Sequence, residues 1–294
     1  MNEPIPVKEM KKILEKNFNA LWMESFGILE EENVMLGGIR VKKDNKKEVE
    51  SLKEKIKKME TEVQVYKSEC FQYFNAGMME TMDADKGAFK NNIFGEKLWT
   101  VRSSLHDMSN PELDRYRDSF DNATPKEIYV CVKYILEETK NYIENVFPKI
   151  NLRSIQKIDD LKLEYLKEEE MLLTGVIGLG IRSELLHRMY PAVFPIMTRR
   201  SLWGMYFLTS ENEFIVDENF QGKSRTSHEW NYDYARFCFY TNFLTNIMES
   251  YLNKYKINMN MEIRFGYLNL MLVEYSAKHK TEIAELYKWK YTGL

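Results

Sequence analysis

Residues Met171 to Trp203 read MLLTGVIGLGIRSELLHRMYPAVFPIMTRRSLW. Three glycines (Gly175, Gly178, Gly180) and two prolines (Pro191, Pro195) punctuate the stretch, and an apolar segment, Ile181 to Tyr190, lies between them. The pattern predicts a glycine hairpin over 174–183, turning the chain from one helix (about 160–173) into a second (about 181–190). The first N–H groups of a helix have no intrahelical partner, so such a turn can hold a phosphate oxygen. Arg182, Arg188, Arg199 and Arg200 against Glu184 give the segment a local charge of +3, in a chain whose net charge is −3. That inversion points to an anionic partner. The candidate phosphate contacts are therefore Gly178, Gly180, Arg182, Arg199 and Arg200. The plainer alternative is that the glycines only let two helices pack closely, with the arginines solvated.

Outward from this stretch, helical signals dominate. A first helix is expected over 7–32, followed by a break at Gly37-Gly38. From Val49 the apolar positions Leu52, Ile56, Met59, Val63, Tyr66, Cys70 and Tyr73 keep a strict 3-4 spacing, the mark of a heptad seam. It predicts either a helix packed on its own domain or self-association through Val49, Leu52, Ile56, Met59 and Val63. Gly77 to Gly95 reads as a connection. Asn110-Pro111-Glu112 and the capping box Thr124-Pro125-Lys126-Glu127 mark helix starts, the second opening a helix that stops near Pro148. Further helices are expected over 159–170, 230–255, 261–279 and 281–289, with a loop over 212–227 holding one short strand at 214–216. The fold class is mainly α, with an N-terminal helical or coiled-coil segment (1–76) and an all-α domain (77–294).

Composition narrows the function classes. With 294 residues, 44% apolar and 30% charged, the chain can bury a large core beneath a solvated surface. A pI near 6.0 argues against a surface that is basic throughout. No apolar run approaches the 18 or so residues of a membrane span, and three scattered cysteines suit reduced thiols in a cytoplasmic protein.

Motifs for catalysis or cofactors are sparse. The four histidines form no ligand pair, and Asp83-Ala-Asp85-Lys-Gly87 lacks the spacing of a calcium loop. Gly178-Leu179-Gly180 lacks the third glycine and the later acid of a dinucleotide fingerprint, Ser183 and Thr198-Arg199 standing in those places. No cofactor is implied. The aromatic run Trp230, Tyr232, Tyr234, Phe237, Phe239, Tyr240 and Phe243 has the spacing of core filling, although such rings can also stack bases.

The succession of glycine hairpin, apolar helix and Phe194-Pro195-Ile196-Met197-Thr198 resembles the helix-hairpin-helix superfamily of DNA glycosylases over about thirty residues. That resemblance implies an all-α fold and contact with duplex DNA. It also locates a departure. Met197 stands where those enzymes carry an aspartate, and Arg182 where the bifunctional members carry a lysine. A thioether accepts no proton, and a guanidinium stays charged and is no amine nucleophile. The expectation is a non-catalytic DNA-associated protein. The alternatives are a helical assembly protein using the 49–73 seam and a base-excision enzyme with another acid, such as Asp217.

Overall fold

The computed structural model describes residues 5–26, 33–36, 39–42, 46–166, 168–214 and 233–292. Over these the chain is mainly helical, with one two-stranded antiparallel hairpin. Helix α1 (Val7–Phe26) buries Met10, Leu14, Phe18, Leu21 and Trp22 along one stripe. Its expected continuation over 27–32 lies outside the described residues, as do Gly37-Gly38, Asp217, Trp230, Tyr232 and most of the proposed strand at 214–216. Strands β1 (Asn33–Leu36) and β2 (Ile39–Lys42) pair with Leu36 opposite Ile39. The sequence-based expectation of a simple break there missed this hairpin.

Helix α2 (Lys46–Phe74) carries the heptad seam. Next come α3 (Ala76–Met82), capped by Asn75, the single turn α4 (Lys86–Ala88), a π-helical turn over Phe89–Phe94, α5 (Gly95–Lys97) and α6 (Trp99–His106). The span 77–95, expected as a connection, is thus helical. Asp85 accepts a hydrogen bond from the Ala88 N–H, and Phe89, Ile93 and Phe94 are drawn into the core. A 3₁₀ turn at Pro111–Leu113 leads into α7 (Asp114–Asn122), and α8 (Pro125–Asn145) begins at the expected capping box. There the Glu127 N–H donates to Thr124 Oγ1 while Glu127 Oε2 accepts from the Thr124 N–H.

The expected helix before the glycines is replaced by three 3₁₀ turns, Ile158–Leu161, Leu163–Leu166 and Glu168–Met171. Leu161, Leu163, Leu166 and Met171 are all buried. On an α-helix, residues two apart diverge by about 200°, so Leu161 and Leu163 cannot share its inner face. A left-handed Lys162 (φ 53°) between them lets both point inward. The remaining helices are α9 (Leu179–Met189), α10 (Arg199–Leu208), α11 (Tyr234–Lys254), α12 (Arg264–Lys278) and α13 (Lys280–Thr292).

One buried cluster runs from Met10 to Leu272, across the expected division at residue 76. Helix α2 lies against α9 and α12. Leu52, Ile56 and Val63 are buried there, while Val49 and Met59 are partly covered. Val63 sits so near Gly266 of α12 that a Cβ on that glycine would come within 2.6 Å of it. The chain's own helices therefore bury Leu52, Ile56, Val63 and Cys70 of the seam, while Tyr66 stays exposed. In α11, Tyr234, Phe237, Phe239 and Tyr240 are buried, so this part of the aromatic run fills the core.

Candidate functional site

Helix α9 is the middle of the molecule, with eight of its eleven residues buried. Four of the buried side chains are polar: Arg182, Ser183, Glu184 and His187. Ser183 Oγ donates to the Gly180 carbonyl and accepts from the Met197 N–H. Glu184, 1% exposed, accepts from the N–H groups of Trp99 and Thr100, each at 2.9 Å, and from Arg188 Nε at 2.7 Å. One carboxylate on α9 thus serves the N-terminus of α6, where negative charge is favoured. His187 donates from Nδ1 to the Phe194 carbonyl at 2.8 Å, and burial pushes its pKa down to about 4.

Arg182 is the fourth, and it corrects the sequence-based expectation. It is fully buried, its guanidinium 5.0 Å from the centroid of the Tyr234 ring. It cannot reach an external phosphate. Arg188 is half-buried and paired with Glu184. Of the four arginines behind the local charge excess, only Arg199 and Arg200 are exposed. Met197 is also fully buried, so both positions at which the glycosylase resemblance places catalytic groups are core positions here.

The glycines divide by role. The sharp turn belongs to Gly175, at φ +77° with a Cβ position 2.7 Å from Ser119 Oγ. It closes the loop between Leu173 and Ile177, which form an isolated antiparallel bridge. Gly178 and Gly180, expected to make the turn, instead begin α9. A Cβ on Gly178 would meet nothing within 4 Å, and one on Gly180 would lie 3.7 Å from the Met197 carbonyl, an ordinary contact. Packing requires neither to be glycine. Gly178 is exposed, no side chain caps α9, and the first helical bond runs from the Arg182 N–H to the Gly178 carbonyl.

The start of α10 adjoins this uncapped end through the Ser183–Met197 bond. There the Thr198 N–H donates to Ser201 Oγ, and Arg199 and Arg200 follow in the first turn. The Arg200 guanidinium lies 4.8 Å from the centroid of the Trp99 ring, which is half-exposed. Two helix N-termini, two exposed arginines and an exposed indole thus occupy neighbouring positions. Compared with known proteins, the chain matches no family model, no curated sequence and no solved structure. Among the described residues no three His, Cys, Asp or Glu side chains converge as metal ligands would, and no helix is long and apolar enough to cross a membrane.

Proposed function

We propose that this is a non-catalytic protein that contacts the phosphate backbone of duplex DNA through the N-terminus of α9. The observation that carries it is Gly178. This exposed glycine opens an uncapped helix where packing would tolerate a side chain, beside Arg199 and Arg200. Without a Cβ, an oxyanion can approach the first-turn N–H groups of Leu179, Gly180 and Ile181. Arg199 and Arg200 supply charge at the rim, and Trp99 a flat surface for a sugar or base. Arg182 is withdrawn from this role. The turn at 174–177, α9 and the Phe194–Thr198 loop are the segments that carry the sequence resemblance, with 3₁₀ turns in place of its first helix, and Met197 and Arg182 supply no catalytic group.

Binding should be weak and steeply salt-dependent, because two arginines and one helix end act within a chain of net charge −3. In fluorescence anisotropy with a duplex oligonucleotide, removing both arginines (Arg199→Ala with Arg200→Ala) should lower the log–log salt slope by about 1.8. Gly178→Ala should weaken binding without altering thermal stability. If the double variant keeps the wild-type slope, or the wild type does not bind at low salt, the proposal is wrong.

A further inference from the structure

A small cleft of about 80 Å³ opens beside the last turn of α9, where that helix meets α2 and α12. Val63, Ile196 and Leu270 give it apolar walls, and two cations border it. Arg188 is bonded to Glu184 through Nε, and no described residue accepts from its Nη1 or Nη2, neither of which is enclosed. Its guanidinium lies 4.9 Å from the centroid of the Tyr66 ring, which also borders the cleft. Lys67, half-buried on α2, makes no ion pair with a described residue. Asn269 turns Oδ1 into the interior, so only its N–H₂ can face this space. One acceptor stands among these donors. His187, 6% exposed, donates from Nδ1 to the Phe194 carbonyl at 2.8 Å, which leaves the lone pair of Nε2 without a partner among the described residues. Burial keeps the ring neutral at ordinary pH. Buried polar atoms without partners are uncommon, and a bordering cleft is where a ligand satisfies them.

We infer that this cleft binds the anion of a short-chain hydroxy acid, its carboxylate accepting from Arg188 and Lys67 and its hydroxyl donating to His187 Nε2. The alkyl body then lies on Val63, Ile196 and Leu270. A plain carboxylate would leave the Nε2 lone pair unmatched. A neutral hydroxy amide would forgo charge-assisted bonds, which are about twice as strong as neutral ones. Inorganic phosphate also carries a hydroxyl, but it has no apolar surface to set against the walls. The nearest carboxylates do not border the cleft: Glu184 is turned to the N-terminus of α6, and Glu62 accepts from the Tyr66 hydroxyl at 3.4 Å. Two full positive charges outweigh the partial negative charge at the C-terminus of α9. The site is independent of the phosphate surface, which lies at the start of that helix.

Lactate, propionate and lactamide, nearly equal in size, test it against ¹⁵N-histidine-labelled full-length protein. Lactate should shift the Nε2 resonance of His187 saturably while that nitrogen stays unprotonated. Propionate, without the hydroxyl, and lactamide, without the charge, should each bind about tenfold more weakly. In Lys67→Met, lactate and propionate should both weaken several-fold, with the preference between them kept. In His187→Asn the side-chain amide can still donate to the Phe194 carbonyl while the Nε2 acceptor is gone. There lactate should bind no better than propionate, as read by saturation transfer from protein to ligand, a change that a packing role for His187 would not produce. Lys67→Met and the three ligands decide the matter if the His187 variant fails to fold. No saturable response to lactate, equal affinity for propionate or lactamide, tighter binding of inorganic phosphate, wild-type affinity in Lys67→Met, or a lactate preference kept in folded His187→Asn overturns the inference.

Discussion

Acidification should take from the wild-type chain stability that His187→Asn retains. The free imidazole titrates at 6.5, whereas burial pushes that of the folded protein to about 4. Between those values the unfolded chain binds a proton that the native state does not. Unfolding therefore becomes more favourable as pH falls, beginning near 6.5 and complete below about 4. At about 1.4 kcal/mol per pH unit, the full effect is about 3 kcal/mol, a sizeable share of a typical domain's stability. Most of it should be gone by about pH 4.5. Asp83, Glu127 and Asp160, held low chiefly by hydrogen bonds from Lys86, Thr124 and Gln156, add acid sensitivity of their own, which is common to both proteins. The quantity to follow is therefore the difference between wild type and His187→Asn in urea unfolding at about pH 7 and about pH 4.5. The variant starts less stable because it loses ring volume, but its pH dependence should be flatter by the amount given. Parallel pH profiles would refute a buried, neutral His187.

Two further substitutions probe the scaffold. Gly204→Ala would place a Cβ 2.6 Å from the Leu272 carbonyl oxygen, where α10 crosses α12. Backbone cannot yield there as a side-chain tip can, so the variant should lose about 1–3 kcal/mol in denaturant unfolding; a neutral result would mean that the two helices are not in contact. Glu184→Gln places an amide N–H₂ among three donors and leaves Arg188 without its countercharge, so a loss of about 3 kcal/mol is expected. Unchanged stability there would show that the link between α9 and α6 is not formed.

Several elements were legible because their determinants are local. The Thr124–Glu127 box needs only four residues, and it forms as spelled. The 3-4 spacing from Val49 established that α2 has an apolar face but not what covers it. That depends on Gly266, about two hundred residues away, leaving room for Val63. The β-hairpin escaped notice because each strand has only four residues, although two consecutive glycines between short runs are a hairpin signal. The 3₁₀ turns replaced an expected helix because Leu161 and Leu163 both seek the core, a two-residue interval that α geometry cannot satisfy.

At the candidate site, the charge count treated Arg182 as exposed. A helix read alone shows which residues differ in polarity, but not that neighbours enclose it on nearly every side. Apart from the Glu184–Arg188 pair within α9, the hydrogen-bonding work of Ser183, Glu184 and His187 was invisible for the same reason, since it involves backbone groups at Met197, Trp99, Thr100 and Phe194. The one available signal was a run of polar residues between Ile181 and Leu185 with no separate polar face.

A helix enclosed in this way has a consequence for how the chain can vary. Eight of the eleven residues of α9 are buried, and charged and hydroxyl side chains among them are fitted to fixed partners. Most substitutions along it must disturb either volume or hydrogen bonding, so the segment tolerates little change. Relatives of this chain should agree with it most closely from Ile181 to Met189, and that agreement would report the demands of an interior. Gly178 is under no such demand: a methyl group would fit there and a side chain is nonetheless missing.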